Sequence, residues 1–487
     1  MSTVPVTPTI PPPRPQIDFP TWLPAMLVKE LRQGLRTRGF VGTFVAFQIL
    51  MALLMMGAAV GSDAMAPGAR AGTATAVNGF FWTLLTVQLL VVTPARALGS
   101  LQSEIEARSL DLLMLTRLSA WRIVFGKWAS LVAQSGLLLV AMLPYGIVRY
   151  YAGSVDLVSD AGTCLALLGA CAVLTAAGLW SSGTSKLVRV LLVIAMVIGT
   201  NVWRAVATGS SAFLTSPFRG MDPTTLGFDG ALTLAFFLVA AVRRIAPPAE
   251  NHAFFARVLP LIAMLPVPLW ALAGHATVAG GQFFFAGCFT LLVCATELGS
   301  VRTPMVVHLR PWLARGGLAH FVGRFALPGW PSALIYMIVA LAAPTLGLMA
   351  VPGVVPPHLV MRVAWLGLLA LGALTFPVAA LAVFERSAAR SAGSVYGLVL
   401  GGMSVFGAIA AALAAGLPLR YGWIKDFARL LPVSGFWLSL GDTELSDSTM
   451  IVQGGLIFAA LGFAWWQSHA YWQNLALIES RERKAKL

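Results

Sequence analysis

Charge is what this chain has least of. Asp, Glu, Lys and Arg together make up 11% of its 487 residues, and only 19 residues are acidic. A chain of that length could hold several water-soluble domains, but 58% hydrophobic residues and a mean hydropathy of +0.81 leave too little polar surface to cover them. Cysteine is scarce too. Cys164, Cys171, Cys288 and Cys294 all fall in apolar runs, with no C-x-x-C pair and no adjacent His. They read as small core side chains rather than metal ligands or a disulfide framework. The six histidines, His252, His275, His308, His320, His358 and His469, are scattered and form no H-E-x-x-H. Nor is there a G-x-x-x-x-G-K-[ST]: Gly126-Lys127 is followed by Trp128 and has Trp121 where the first glycine would stand. The chain is therefore expected to be no enzyme, with no cofactor and no metal of its own.

What is present is long apolar runs. Crossing about 30 Å of hydrocarbon at a rise of about 1.5 Å per residue takes about 20 residues, and in lipid such a run must be helical to satisfy its own backbone. Spans are expected near 40–60, 77–98, 121–148, 162–180, 187–206 and 230–245. A second set follows near 258–274, 277–298, 330–350, 358–384, 393–416 and 450–471. The fold class is thus all-α integral membrane, with about twelve transmembrane helices. The pattern hints at two pseudo-repeats of six, since each set has a long connection after its second member and a Pro-containing segment before its last.

The divisions that follow are a Pro-rich, disordered head (1–20), an amphipathic interfacial helix (21–39), two six-helix halves (40–250 and 251–473) and a charged tail (474–487). About forty residues precede the first apolar run, which is too long for a signal-peptide core, so no cleaved leader is expected. In the segment 21–39, Leu23, Met26, Leu27, Leu31 and Leu35 recur at helical spacing. Lys29, Arg32 and Arg36 take the other face, as in a helix resting on anionic lipid headgroups. Placing both termini in the cytoplasm puts about 25 of the 33 Lys and Arg on the cytoplasmic side. The net charge of +14 is explained this way, without nucleic acid. The expected location is the cell membrane, multi-pass.

One cytoplasmic connection stands out: EIEARSLDLLMLTRLSAWRIVFGK, residues 104–127. Ser103 and Glu106 form an S-x-x-E capping box, and good helix formers follow. The result is a short helix with more apolar residues than water alone would select, suited to a membrane surface or to a groove in a partner. Here the sequence resembles the membrane subunits of ATP-binding-cassette (ABC) exporters of the type two permease class. Members carry a segment close to E-x-E-x-G-T-L-(D/E)-L-L-L-L-T-P-L-S after their second span and a G-K at the start of the third. The pre-helix run VKELRQGLRTRGF and the run RRIAPPAEN after the sixth span are similar as well. Arg108 and Arg117 depart from the usual Gly and Pro. The resemblance implies a coupling helix that enters a cleft of a separate ABC ATPase subunit, which would carry the ATP and Mg. Glu104, Glu106, Leu110, Asp111, Leu112 and Leu113 are the contact residues it implies. It also implies that the chain is a permease subunit moving a substrate outward; a membrane scaffold or a membrane-embedded enzyme is the alternative. Whether one chain or a homodimer forms the pathway stays open.

The remaining polar residues read more plainly. Asp229, Glu297 and Glu385 lie at helix ends, so no carboxylate marks a span centre, which disfavours a proton-driven carrier. Arg189 and Arg204 bracket one span and are expected to snorkel, and Asn201 to bond a neighbouring helix. Asp442, Glu444 and Asp447 lack the spacing of a calcium loop and read as a solvated loop. Tyr421, Trp423, Phe427, Leu430 and Leu431 suggest an outer amphipathic helix. Trp465, Trp466, Tyr471 and Trp472, with the basic tail, suggest an interface anchor.

Overall fold

The computed structural model describes residues 24–64, 67–101, 119–151, 157–182, 189–190, 223–247, 249–299, 305–313, 317–349, 357–383, 392–416, 435 and 447–486. Every regular element among them is helical. In chain order these are α1 (Ala25–Arg36), α2 (Arg38–Ala64), α3 (Pro67–Val87), a π-helical turn (Gln88–Val92), α4 (Thr93–Ala97), α5 (Ala120–Tyr151), α6 (Leu157–Ser182) and α7 (Pro223–Ile245). There follow α8 (Ala253–Met264), α9 (Pro266–Leu272), α10 (Ala276–Leu298), α11 (Val306–Leu313), α12 (Gly317–Ala326) and α13 (Trp330–Met349). The last are α14 (Pro357–Val383), α15 (Ala392–Gly416), α16 (Asp447–Gln467) and α17 (His469–Lys486).

Seven helical stretches among the described residues are long and apolar enough to cross a membrane: Arg38–Gly57, Val77–Ala97, Ala120–Ile147, Val158–Ser182, Thr224–Ile245, Ala253–Trp270 and Gly281–Leu298. This is the architecture of a multi-pass helical membrane protein. Each of the seven overlaps an expected span. Shorter apolar stretches, Trp330–Ala340, Trp365–Ala379, Val395–Gly407 and Ile451–Gln467, fall where later spans are expected. The expected span 187–206, apart from 189–190, and the expected outer helix at 421–431 lie outside the described residues. So do the head 1–20, Glu385, Arg204, Asn201, Asp442 and Glu444.

The chain divides into two compact units, Met1–Asn78 with Trp121–Val155, and Gly79–Ala120 with Asp156–Leu487. In the first, Thr37 separates α1 from α2: its backbone is extended, and its hydroxyl donates to Gly34 O (2.7 Å) and accepts from Phe40 N (3.3 Å). That one threonine ends one helix and caps the next. α2 and α5 are tied by Tyr145 Oη donating to Gln48 O (3.2 Å), and Arg149 donates to Asn78. Ile49, Leu53 and Met56 on α2 and Val140, Leu143 and Ile147 on α5 are exposed stripes at helical spacing, a surface suited to hydrocarbon.

The second unit holds the main core, with Phe236, Phe289, Val293, Leu334, Met337 and Leu369 among its buried residues. Phe236 meets Phe289 edge-on with centroids 5.7 Å apart. α6 and α7 run in the same direction: Trp180, at the end of α6, packs on Phe237 (5.8 Å) and lies under the Arg244 guanidinium (5.8 Å), at the end of α7. Sequence expectation placed the first span of the second set at 258–274. The helix instead starts at Ala253, whose N–H donates to Asn251 Oδ1 (3.1 Å), and it breaks at Leu265 before Pro266. The π turn has a local cause as well. Pro94 has no N–H to offer, and Thr93 both backbone and side chain turn back to Gln88 O. Cys171 and Cys294 are buried and Cys164 half-buried, whereas Cys288 is exposed; the core reading fails for Cys288 because it sits on the face of α10 turned away from the packed helices.

Gly178 sets the approach of α6 to α4. A Cβ there would stand 2.8 Å from Pro94 O and 2.9 Å from the Ala97 Cβ. Gly178→Ala is expected to lower stability by about 1–3 kcal/mol, while Gly169→Ala, which meets nothing within 4 Å, should leave it unchanged or raise it slightly. Thermal unfolding in detergent, followed by tryptophan fluorescence, checks the contrast.

Candidate functional site

The residues implied to contact a partner, Glu104, Glu106, Leu110, Asp111, Leu112 and Leu113, lie outside the described residues. What is described is their frame. The chain enters the segment from a span ending at Ala97, with Leu101 N donating to Ser182 Oγ (3.1 Å), and leaves it into a span beginning at Ala120.

Just inside that second span sits Gly126-Lys127. Lys127 is nearly buried and pairs with Glu30 of α1 (3.2 Å), also nearly buried. Gly126 makes the approach possible: a Cβ there would meet Met26 at 3.0 Å and the backbone N of Leu27 at 3.5 Å. Lower down, Gly34 faces Gln134 closely enough that a side chain would clash. α1 therefore docks on α5 through Met26, Glu30 and Gly34, while Lys29, Arg32 and Arg36 remain exposed. Sequence reading found the basic face of α1 but missed Glu30. The cue was available, since Glu30 is the acidic residue in a run of bases, one helical turn from Met26 on the same side.

The second cluster lies in the other unit and is built around Arg257, the fifth residue of α8, which is 3% exposed. Its guanidinium donates to Glu297 Oε2 (2.9 Å), Ser332 Oγ (3.2 Å), Gly329 O (3.5 Å) and Phe325 O. Glu297 is fully buried and is also paired with Arg243. Two arginines around one carboxylate leave a net positive charge, which the carbonyls of the 325–329 turn help to offset. Every carbonyl of that turn is collected by a side chain. Phe325 O and Gly329 O take Arg257, Ala326 O takes Asn251 (2.6 Å), Leu327 O takes Ser332 Oγ (2.5 Å), and Pro328 O takes Tyr471 Oη (3.0 Å). Gly329, with φ of +116°, closes the turn as only glycine can without strain. Tyr336 Oη returns to Arg257 O (2.9 Å) and its ring lies 5.8 Å from the guanidinium.

Around this turn the C-terminal helix α17 packs through Leu475 against Leu327, with Trp472 and Ile478 beside them, and Glu479 lies 3.9 Å from Arg324. Trp465 and Trp466 are exposed at the end of α16, while Tyr471 and Trp472 are half-buried, with the Trp472 ring 6.2 Å from that of Trp465 and 5.2 Å from that of Tyr471. Glu297 lies near the end of its span, as expected; its complete burial was not legible. Among the described residues no group of three or more His, Cys, Asp or Glu is placed to hold a metal ion.

No family model, curated protein or solved structure matches this chain.

Arg257→Met removes the donor to Phe325 O and leaves Glu297 paired with Arg243 alone. A loss of about 3–5 kcal/mol is expected, and Arg257→Lys should recover little of it, since one ammonium cannot span the fork. Denaturation in mild detergent reads both; an unchanged midpoint for either would contradict the hub role.

Proposed function

We propose that this chain is the permease subunit of an ATP-driven exporter, of the kind its sequence resembles, with ATP hydrolysis supplied by a separate ABC ATPase. The observation that carries the reading is the 104–119 run, E-I-E-A-R-S-L-D-L-L-M-L-T-R-L-S, set between two membrane-spanning helices. A capped helix with apolar residues among charges suits a groove in a protein, with the apolar residues filling it and the charges fixing register. Closure of the ATPase would then push on residues 104–116 and, through them, on the two helices that hold them.

The proposed topology is twelve spans in two halves of six, with both termini in the cytoplasm and the chain in the cell membrane. Two features support the halves. In each, the chain at or just before the start of the first span is bonded to the start of the third: Glu30 to Lys127 in one, Asn251 and Arg257 to the 325–329 turn and Ser332 in the other. The parallel run of α6 and α7 also suits a topology with one further span, 187–206, between them. In this reading Lys127–Glu30 keeps α1 fixed to the helix that receives the push, and Lys29, Arg32 and Arg36 rest on lipid headgroups.

The test is capture of the full chain from its own membranes in mild detergent. The natural protein should bring down a chain with a Walker A motif. Glu106→Lys and Leu112→Asp should reach the membrane in normal amount and lose that chain at least about tenfold, the effect of roughly 1.4 kcal/mol or more at an interface. Undiminished co-purification with both substitutions would contradict the reading.

A further inference from the structure

Asp229 on α7 and Gln282 on α10 meet inside the membrane-spanning part of the second unit, 4% and 0% exposed. Both hydrogens of the Gln282 amide are in use: Nε2 donates to Asp229 Oδ1 (2.8 Å) and to Ala263 O of α8 (3.0 Å). Two acceptors remain, Asp229 Oδ2 and Gln282 Oε1, both buried and reached by no donor among the described residues. The pair is short of hydrogen.

No cation among the described residues pairs with Asp229. On its own helix, Arg243 and Arg244 lie about 20 Å farther along at a rise of about 1.5 Å per residue. Arg257 on α8 and Glu297 on α10 engage each other. α6 carries Asp160 near its start, α9 has no charged residue in its sequence, and Tyr336 on α13 is bonded to Arg257 O. Cys294 on α10 is buried, Cys288 is exposed, and His275, ahead of α10, is exposed and set edge-on to Trp270. An ionised Asp229 would be a lone charge buried among packed helices with one hydrogen bond, the least favourable state for a carboxyl group.

One proton removes both faults. On Oδ2 it cancels the charge and turns an acceptor into a donor, and Gln282 Oε1 is the acceptor left for it. A carboxylic acid and a primary amide are complementary, each giving one hydrogen and taking one. We propose that Asp229 and Gln282 form a proton-binding site within the membrane, holding one proton at neutral pH in this conformation. Binding forms one O–H bond on Oδ2, with the proton taken from water; no other bond changes. Because the two partners stand on different helices, separation of α7 from α10 breaks the acid–amide pair and favours release of the proton. Helix movement and proton occupancy are thereby linked. This site is independent of the permease reading.

Infrared spectroscopy of the purified full chain in detergent tests it. At pH 7 the natural protein should show the C=O stretch of a protonated carboxylic acid, shifted in D2O, and Asp229→Asn should lack it while eluting as the natural protein does. Gln282→Leu, a second variant that leaves Asp229 in place, should displace the band by removing the amide partner. Absence of an Asp229-dependent acid band at pH 7 would overturn the proposal. So would a band that Gln282→Leu leaves unmoved, or one abolished by sodium or potassium chloride at constant pH, which would make the pair a cation site.

Discussion

Arg257 shows the constraint under which the whole chain is built: in hydrocarbon a charge has no water to fall back on, so each buried one must be answered by protein. Its guanidinium is answered by Glu297, by Ser332 and by backbone carbonyls of the 325–329 turn. The turn in turn needs donors, because Phe325 O and Ala326 O stand at the end of α12 and Leu327 O and Pro328 O lie between helices; Gly329 O also accepts from Ala333 N (3.2 Å). Asn251, Ser332 and Tyr471 supply the rest. One charged side chain thus fixes the start of α8, the end of α10, the entry to α13 and the place where α17 docks.

The same rule operates at smaller scale elsewhere. Lys127 near the start of α5 is answered by Glu30 of α1, and Gly126 provides the room. Asp229 is the case in which protein answers only half of the demand: Gln282 satisfies one oxygen and leaves the other. Charge is rare in this sequence because each instance requires such an arrangement, and its few charges therefore mark where helices are fastened or where function resides.

Much of the fold was legible from composition and run length. Long apolar stretches force helices, and every one of the seven membrane-spanning helices falls on an expected run. The basic face of α1 was legible because amphipathic spacing is local. What was not legible is pairing across distance. Glu30 with Lys127, Arg243 and Arg257 with Glu297, and Asp229 with Gln282 join residues dozens of positions apart, and no periodicity encodes which helix will meet which. Position along a span was read correctly for Asp229 and Glu297, but position does not give burial: a helix end can be enclosed by neighbours as fully as its middle. The start of α8 at Ala253 rather than further on coincides with Asn251 Oδ1 accepting from Ala253 N, a polar signal that a hydropathy count passes over.

The central functional claim is that residues 104–116 touch an ATPase. A photo-crosslinking amino acid in place of Leu112, in the otherwise natural chain and activated in intact membranes, addresses it directly. The predicted result is one dominant protein adduct whose partner carries a Walker A motif and lies in the cytoplasm. Adducts with lipid alone, at full incorporation of the crosslinker, would contradict it.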